Sequence, residues 1–240
     1  MNYTAAVTDF FKSPKWLMNL LLAGVVGLIP VIGQMVIKGW LIGGFWGRDD
    51  ERPETFPDFD FNKFGKYLER GVWPVLVTMA SSAVLSLVIG FVAMPFFLVT
   101  GFISAGSHHN SCVGAILFLF ALAFYLVLAI GIAFVLTPLV LRACLTQDFV
   151  DAFNFPFVKR FVRLMWKEIL LASLFLILAS LVLTCIGVVA LCVGIIFVSV
   201  IIYFCWLHLD KQLYRLYLSR GGEPIPVSPK LRDDVTPATL

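Results

Sequence analysis

Charge is what this sequence has least of. Asp, Glu, Lys and Arg make up 14% of its 240 residues, where a soluble domain carries about 25%. Hydrophobic residues reach 60% and the mean hydropathy is +0.94. A globule in water would have to expose most of that apolar excess, which excludes a soluble fold. The same numbers exclude a disordered chain, a collagen-like repeat and a small disulfide scaffold. The net charge of +3 is too small and too dispersed to suggest a nucleic-acid partner.

Chemical motifs are missing as well. The sequence contains no HExxH, no G-x-S-x-G, no P-loop and no glycine-rich dinucleotide turn. Neither catalytic residues nor a cofactor is expected, and the chain does not read as an enzyme. Cys112, Cys144, Cys185, Cys192 and Cys205 show no CxxC or Cys/His spacing, so they read as packing residues rather than metal ligands. His108 and His109 are adjacent in a polar linker, but two ligands fall short of the three or four a metal site uses. No small-residue cleavage site follows the N-terminal segment, so a cleavable signal is not expected.

What the sequence does have is long uncharged runs. No charged residue lies between Arg70 and Arg142, nor between Glu168 and Asp210. A third apolar block, Trp16 to Gly47, is interrupted only by Lys38 and by a "GLIPVIG" break around Pro30. A helix needs about 20 apolar residues to cross a hydrocarbon core of roughly 30 Å. The expected fold is therefore all-α, a polytopic membrane bundle of about six spans. They cover residues 16–29, 31–47, 72–103, 112–141, 168–186 and 188–209. The first two form a short Pro/Gly-broken hairpin that crosses fully or is partly re-entrant. Residues 1–220 read as a single membrane domain, and the proline-rich 221–240 as a flexible cytoplasmic tail.

The positive-inside rule orients these spans. Lys and Arg flank the first block, return at 142–167 and again at 211–220, while the linker near 104–111 has none. Both termini are expected in the cytoplasm. Trp16, Trp46, Trp73, Trp166 and Trp206 then fall at cytoplasmic span ends, where indoles concentrate.

Amphipathic stretches precede the spans. Tyr3, Ala6, Val7, Phe10 and Phe11 make one apolar face, read as a helix lying on the bilayer. Residues 56–73 align without gaps to 149–166, matching at Phe56/Phe149, Asp58/Asp151, Lys66/Lys159 and Arg70/Arg163. This is a weak parallel repeat or a convergence of two membrane-entry segments. Their cations, Lys63, Lys66, Arg70, Lys159, Arg160 and Arg163, are the candidate contacts for anionic lipid.

Lys38 is the one charge inside an expected span, with Gln34 a turn away; together they form the candidate intramembrane polar site. No acid is expected at that depth, so the reading is that Lys38 snorkels to the headgroups. Gly39, Gly43 and Gly47 form a small-residue stripe suited to intramolecular helix packing.

The "LIPVIGQMVIKGW" break, the loop "FPDFDFNKFGKYLERG" and the closing "HLDKQLYR" together resemble a prokaryotic multi-pass membrane-protein family known as domain of unknown function 4013. The resemblance spans roughly residues 10–218. It implies a plasma-membrane location in a prokaryote and brings no catalytic residues with it. Two functions remain in view. One is a non-enzymatic scaffold or accessory subunit binding membrane lipids, a membrane-protein partner or a second copy. The other is a small transporter or channel with its site near Lys38.

Overall fold

The computed structural model describes residues 1–48, 50–106, 111–189 and 194–231. Among them there are helices and no strand. The short α1 (Tyr3–Thr8) leads into α2 (Trp16–Gly27) and α3 (Ile32–Trp46). A loop then feeds α4 (Phe64–Gly106) and α5 (Ser111–Thr146). One turn of helix, α6 (Phe149–Ala152), precedes α7 (Phe155–Val189) and α8 (Gly194–Ser219).

Local chemistry sets these boundaries. Pro30 breaks the first block as expected, and Val31 takes up a left-handed φ of 63° at the turn, a conformation costly for a β-branched residue. At the α5–α6 link Gln147 has φ 53°. Asp148 then caps α6, accepting from Val150 N at 2.7 Å and Asp151 N at 3.0 Å. Asn154 caps α7 through Phe157 N at 3.0 Å. Gly221, at φ 79°, closes α8 with Gly222 N donating to Tyr217 O at 2.9 Å, a left-handed C-terminal cap.

Among the described residues four helices are long and apolar enough to cross a membrane: α4, α5, α7 and α8, of 43, 36, 35 and 26 residues. This is a membrane protein. The hairpin helices α2 and α3 have 12 and 15 residues, about 18 and 22 Å long. Both are shorter than the roughly 20 residues a full crossing needs, while α3 packs among the longer helices. Yet α3 is the core. Ile37, Trp40, Leu41 and Ile42 are fully buried between α4 and α8.

One expectation about a flanking segment is corrected. The apolar face of segment 3–11 does not meet lipid alone, because much of it packs on α8. Ala6 and Phe10 are buried, Phe10 packs edge-on against Phe204 of α8, and Gln212 of α8 bonds both Asn2 N and Asn2 O. An α8 that outruns its apolar stretch supplies a protein surface where a lipid one was expected. The membrane-entry segments run straight into long helices, 64–73 being the first turns of α4 and 155–166 those of α7. In α7 no glycine or proline between Phe157 and Gly187 interrupts the run.

The tail is corrected too. Residues 221–231 pack across one end of the bundle rather than hanging free. Ile225 and Leu231 are buried, Ile225 N donates to Tyr214 Oη at 2.8 Å, and Ser228 N donates to Leu145 O at 2.8 Å. Proline-rich composition argued for flexibility, but two apolar side chains and satisfied backbone donors outweigh it. Residues 232–240 lie outside the described residues, as do 107–110, with His108 and His109, and Cys192.

Candidate functional site: the charged end of the bundle

The N-terminal helix, the 47–63 loop, the 147–154 link and the tail all gather at one end, around the C-terminal turns of α3 and α8. Nearly every charge of the described chain is there. The 56–60 loop is latched to α2: Asn19, buried, accepts from Phe59 N at 2.9 Å and donates to Asp58 at 3.2 Å. Lys15 donates to the same carboxylate at 2.8 Å. That lysine, opposed by partial burial and helped by Asn19, holds the Asp58 carboxyl below the usual carboxylate range. Asp50 is held well below it by hydrogen bonds from Arg52 and Thr55.

The glycine stripe faces inward, as expected. A Cβ at Gly39 would fall on the Tyr67 carbonyl, and one at Gly71 on the Met35 carbonyl. The backbones of α3 and α4 therefore touch through reciprocal glycines. At Gly43 a Cβ would meet Arg70 Nη1 at 2.9 Å, and at Gly47 the Leu231 carbonyl of the tail.

Lys38 lies one turn before this contact and does not snorkel. It is 5% exposed, with Nζ 5.1 Å from the Tyr203 ring and 5.2 Å from the Trp206 ring of α8. Asp210, buried on the same face of α8, and the buried Cys144 thiol of α5 lie within electrostatic reach. Asp210 Oδ2 has no hydrogen-bond partner among the described residues. The expectation that no acid would sit at this depth is corrected. Asp210 lies just past the expected span 188–209 and shares a helical face of α8 with Tyr203 and Trp206. Gln34 does not join the site; it is exposed while Lys38 is enclosed.

The six lipid-contact candidates divide. Lys63, Lys66, Lys159 and Arg163 are exposed. Arg70 is 3% exposed, and its Nε and Nη2 donate to Lys230 O at 3.1 and 2.9 Å, so it holds the tail. Arg160 is exposed but pairs with Glu223 at 3.3 Å and donates to Gly221 O at 3.1 Å. Lys159, Arg163 and Lys167 share the outer side of α7 with Trp166, itself 50% exposed, and Lys167 Nζ sits 5.4 Å from the indole. A cationic band bordered by tryptophan is what a headgroup layer selects. The 56–73 and 149–166 segments thus share a sequence pattern without sharing roles: Arg70 is interior where Arg163 is outward.

Sequence reasoning missed other polar partners at this end. His208 Nε2 lies 3.2 Å from Asp9 Oδ2 and its Nδ1 2.9 Å from Gln212 Nε2. Glu51 bridges Lys211, at 3.2 Å, and Arg215. Lys211 also donates to Phe45 O at 2.8 Å, neutralising the carbonyl end of α3. Cavities of about 200, 380 and 320 Å³ open between these groups; none is lined by Lys38. Among the described residues no group of three or more His, Cys, Asp or Glu could hold a metal.

No curated protein and no solved structure matches the chain. A family model does, over residues 22–193. That stretch contains the end of α2 with the break at Pro30, the glycine contacts of α3 and α4, and all of α5 and α7. The chain belongs to the family described as "Protein of unknown function (DUF4013)".

Proposed function

We propose that the protein is a non-enzymatic scaffold or accessory subunit of a prokaryotic plasma membrane, holding anionic lipid at its charged end. In this reading that end, with both termini, faces the cytoplasm. The segregation of Lys and Arg to it supports the orientation, since cytoplasmic flanks carry the excess of positive charge. The observation that carries the lipid reading is the outward band of Lys159, Arg163 and Lys167 beside exposed Trp166. Each such cation contributes about 1 kcal/mol toward an anionic surface. A membrane-protein partner or a second copy would use the same face.

The test is lipid retention. Replacing Lys159, Arg163 and Lys167 with glutamine should lower anionic-lipid retention in native mass spectrometry, with the largest loss at low salt. Unchanged retention at low salt would remove the reading.

A transporter or channel is the second reading, and the burial of Lys38 and Asp210 within electrostatic reach of each other is the observation that favours it. Ionisable groups at depth mark ion and substrate pathways in many membrane proteins. A liposome flux that Lys38→Met abolishes in a folded protein would establish this reading over the first.

A further inference from the structure

The tail that folds back over the charged end brings an acid to a site whose other charges are all positive. Between the end of α5, the start of α7 and the tail lies a cavity of about 320 Å³. Arg142 and Arg160 line it from the bundle, with Asn154 between them; Glu223 is its one acidic lining residue and comes from the tail. The other cavities at this end differ. Glu51 and Asp9, or Asp50, belong to their walls from the loop and α1 side.

We propose that this cavity is a binding site for a phosphate anion, presented as a lipid headgroup, and that Glu223 is a tethered competitor occupying Arg160 in its absence. The inference rests on the lipid-holding reading above and names a site within it. The arginines are placed for this. The Arg142 guanidinium is steadied by its Nε donating to Asp151 O at 2.5 Å and by the Phe157 ring 5.4 Å away. Arg160 meets Glu223 at 3.3 Å, with side chains 50% and 73% exposed. An ion pair so open to water is weak, whereas a phosphate accepts paired hydrogen bonds from a guanidinium fork. Depth agrees as well. Arg160 precedes Trp166 by six residues, about 9 Å along the helix toward water, which puts the cavity at headgroup level if the indole marks the interface.

The full-length protein in nanodiscs of phosphatidylcholine, with or without phosphatidylglycerol, tests this by native mass spectrometry of retained lipid. Glu223→Gln should raise phosphatidylglycerol retention about two- to fivefold, the worth of a surface ion pair. Arg142→Gln should lower it about tenfold, and Arg142→Lys, which keeps the charge but loses the fork, should fall between. Should Arg142→Gln fail to fold, Arg142→Lys and Glu223→Gln decide the matter alone. A second arm adds inorganic phosphate to protein in pure phosphatidylcholine. A melting shift abolished by Arg142→Lys would support the anion site with a soluble phosphate as its source; no shift, with the lipid effects intact, supports the headgroup. Wild-type retention in both Arg142→Lys and Glu223→Gln would overturn the site. If the Lys159, Arg163 and Lys167 glutamine variant still loses lipid, the broader reading survives that failure; if it too is unchanged, both fall.

Discussion

Two apolar helix pairs near the start of the chain, α2–α3 and α4–α5, look alike by hydropathy, and the protein uses them in opposite ways. The α2–α3 hairpin is short and enclosed: its second helix is buried on nearly every side and carries a charge inside. The α4–α5 hairpin is long and turned outward. Leu87, Phe91, Phe120 and Val127 are 76, 84, 63 and 67% exposed, and the most apolar window of α5 has no buried residue. Glycines separate the two. A Cβ at Gly33 or Gly39 of α3 would strike backbone, while one at Gly90, Gly101 or Gly131 meets nothing within 4 Å. In a lipid solvent apolar side chains gain little by turning inward, so close backbone approach and polar pairing decide which helix becomes interior.

Four sets of changes probe that contrast. The largest effect belongs to Gly39→Leu, which forces apart two backbones in contact. It should destabilise by about 3 kcal/mol or more, whereas Gly90→Leu should stay within about 0.5 kcal/mol; thermal unfolding in detergent reads both. Equal effects would erase the distinction between the hairpins. Next comes truncation after Arg220, which withdraws buried Ile225 and the Leu231 that lies on Gly47. Fully burying a side chain of that kind is worth roughly 1.5–3 kcal/mol, so the melting point should drop by several degrees. Unchanged melting would show that the tail does not close the hairpin's end.

Smaller again is Asn19→Ala, which leaves the buried Phe59 N without its acceptor. The expected loss is about 1–3 kcal/mol, at the low end if water reaches the amide, and hydrogen exchange at Phe59 should quicken locally. The smallest effect is one of pH. The Asp58 carboxyl is held below its ordinary value by Lys15. Its contribution is therefore complete above the ordinary carboxylate range and is lost as pH falls through the lowered value. The side chain is 45% exposed, so the loss stays under about 1 kcal/mol, and Asp58→Asn should flatten it.

Much of this architecture was legible in residue order. Charge-free runs located the long helices, the Pro30 break divided the hairpin, Gly221 ended α8, and the Gly39–Gly43–Gly47 spacing marked an inward face. Those signals are local and periodic. What stayed hidden depends on distant segments meeting. Nothing around Lys38 announces that Asp210, far along the chain, reaches its level, and a charge count takes that acid for the end of a span. The tail's proline-rich composition conceals that Ile225 and Leu231 find an apolar seat between α3 and α8. Arg70 and Arg163 occupy matched positions in similar segments, yet only the fold tells the clamp from the surface cation.

In this structure α3 is interior because it is held there, by glycine contact with α4 and by burial of Lys38 within electrostatic reach of the buried Asp210. A double-mutant cycle of Lys38→Met and Asp210→Asn, followed by unfolding in detergent, tests it most directly. Each single change leaves the other group buried with less opposite charge in reach, so the double mutant should cost clearly less than the sum of the singles. Singles without effect, or costs that simply add, would contradict the claim and return Lys38 to the headgroups.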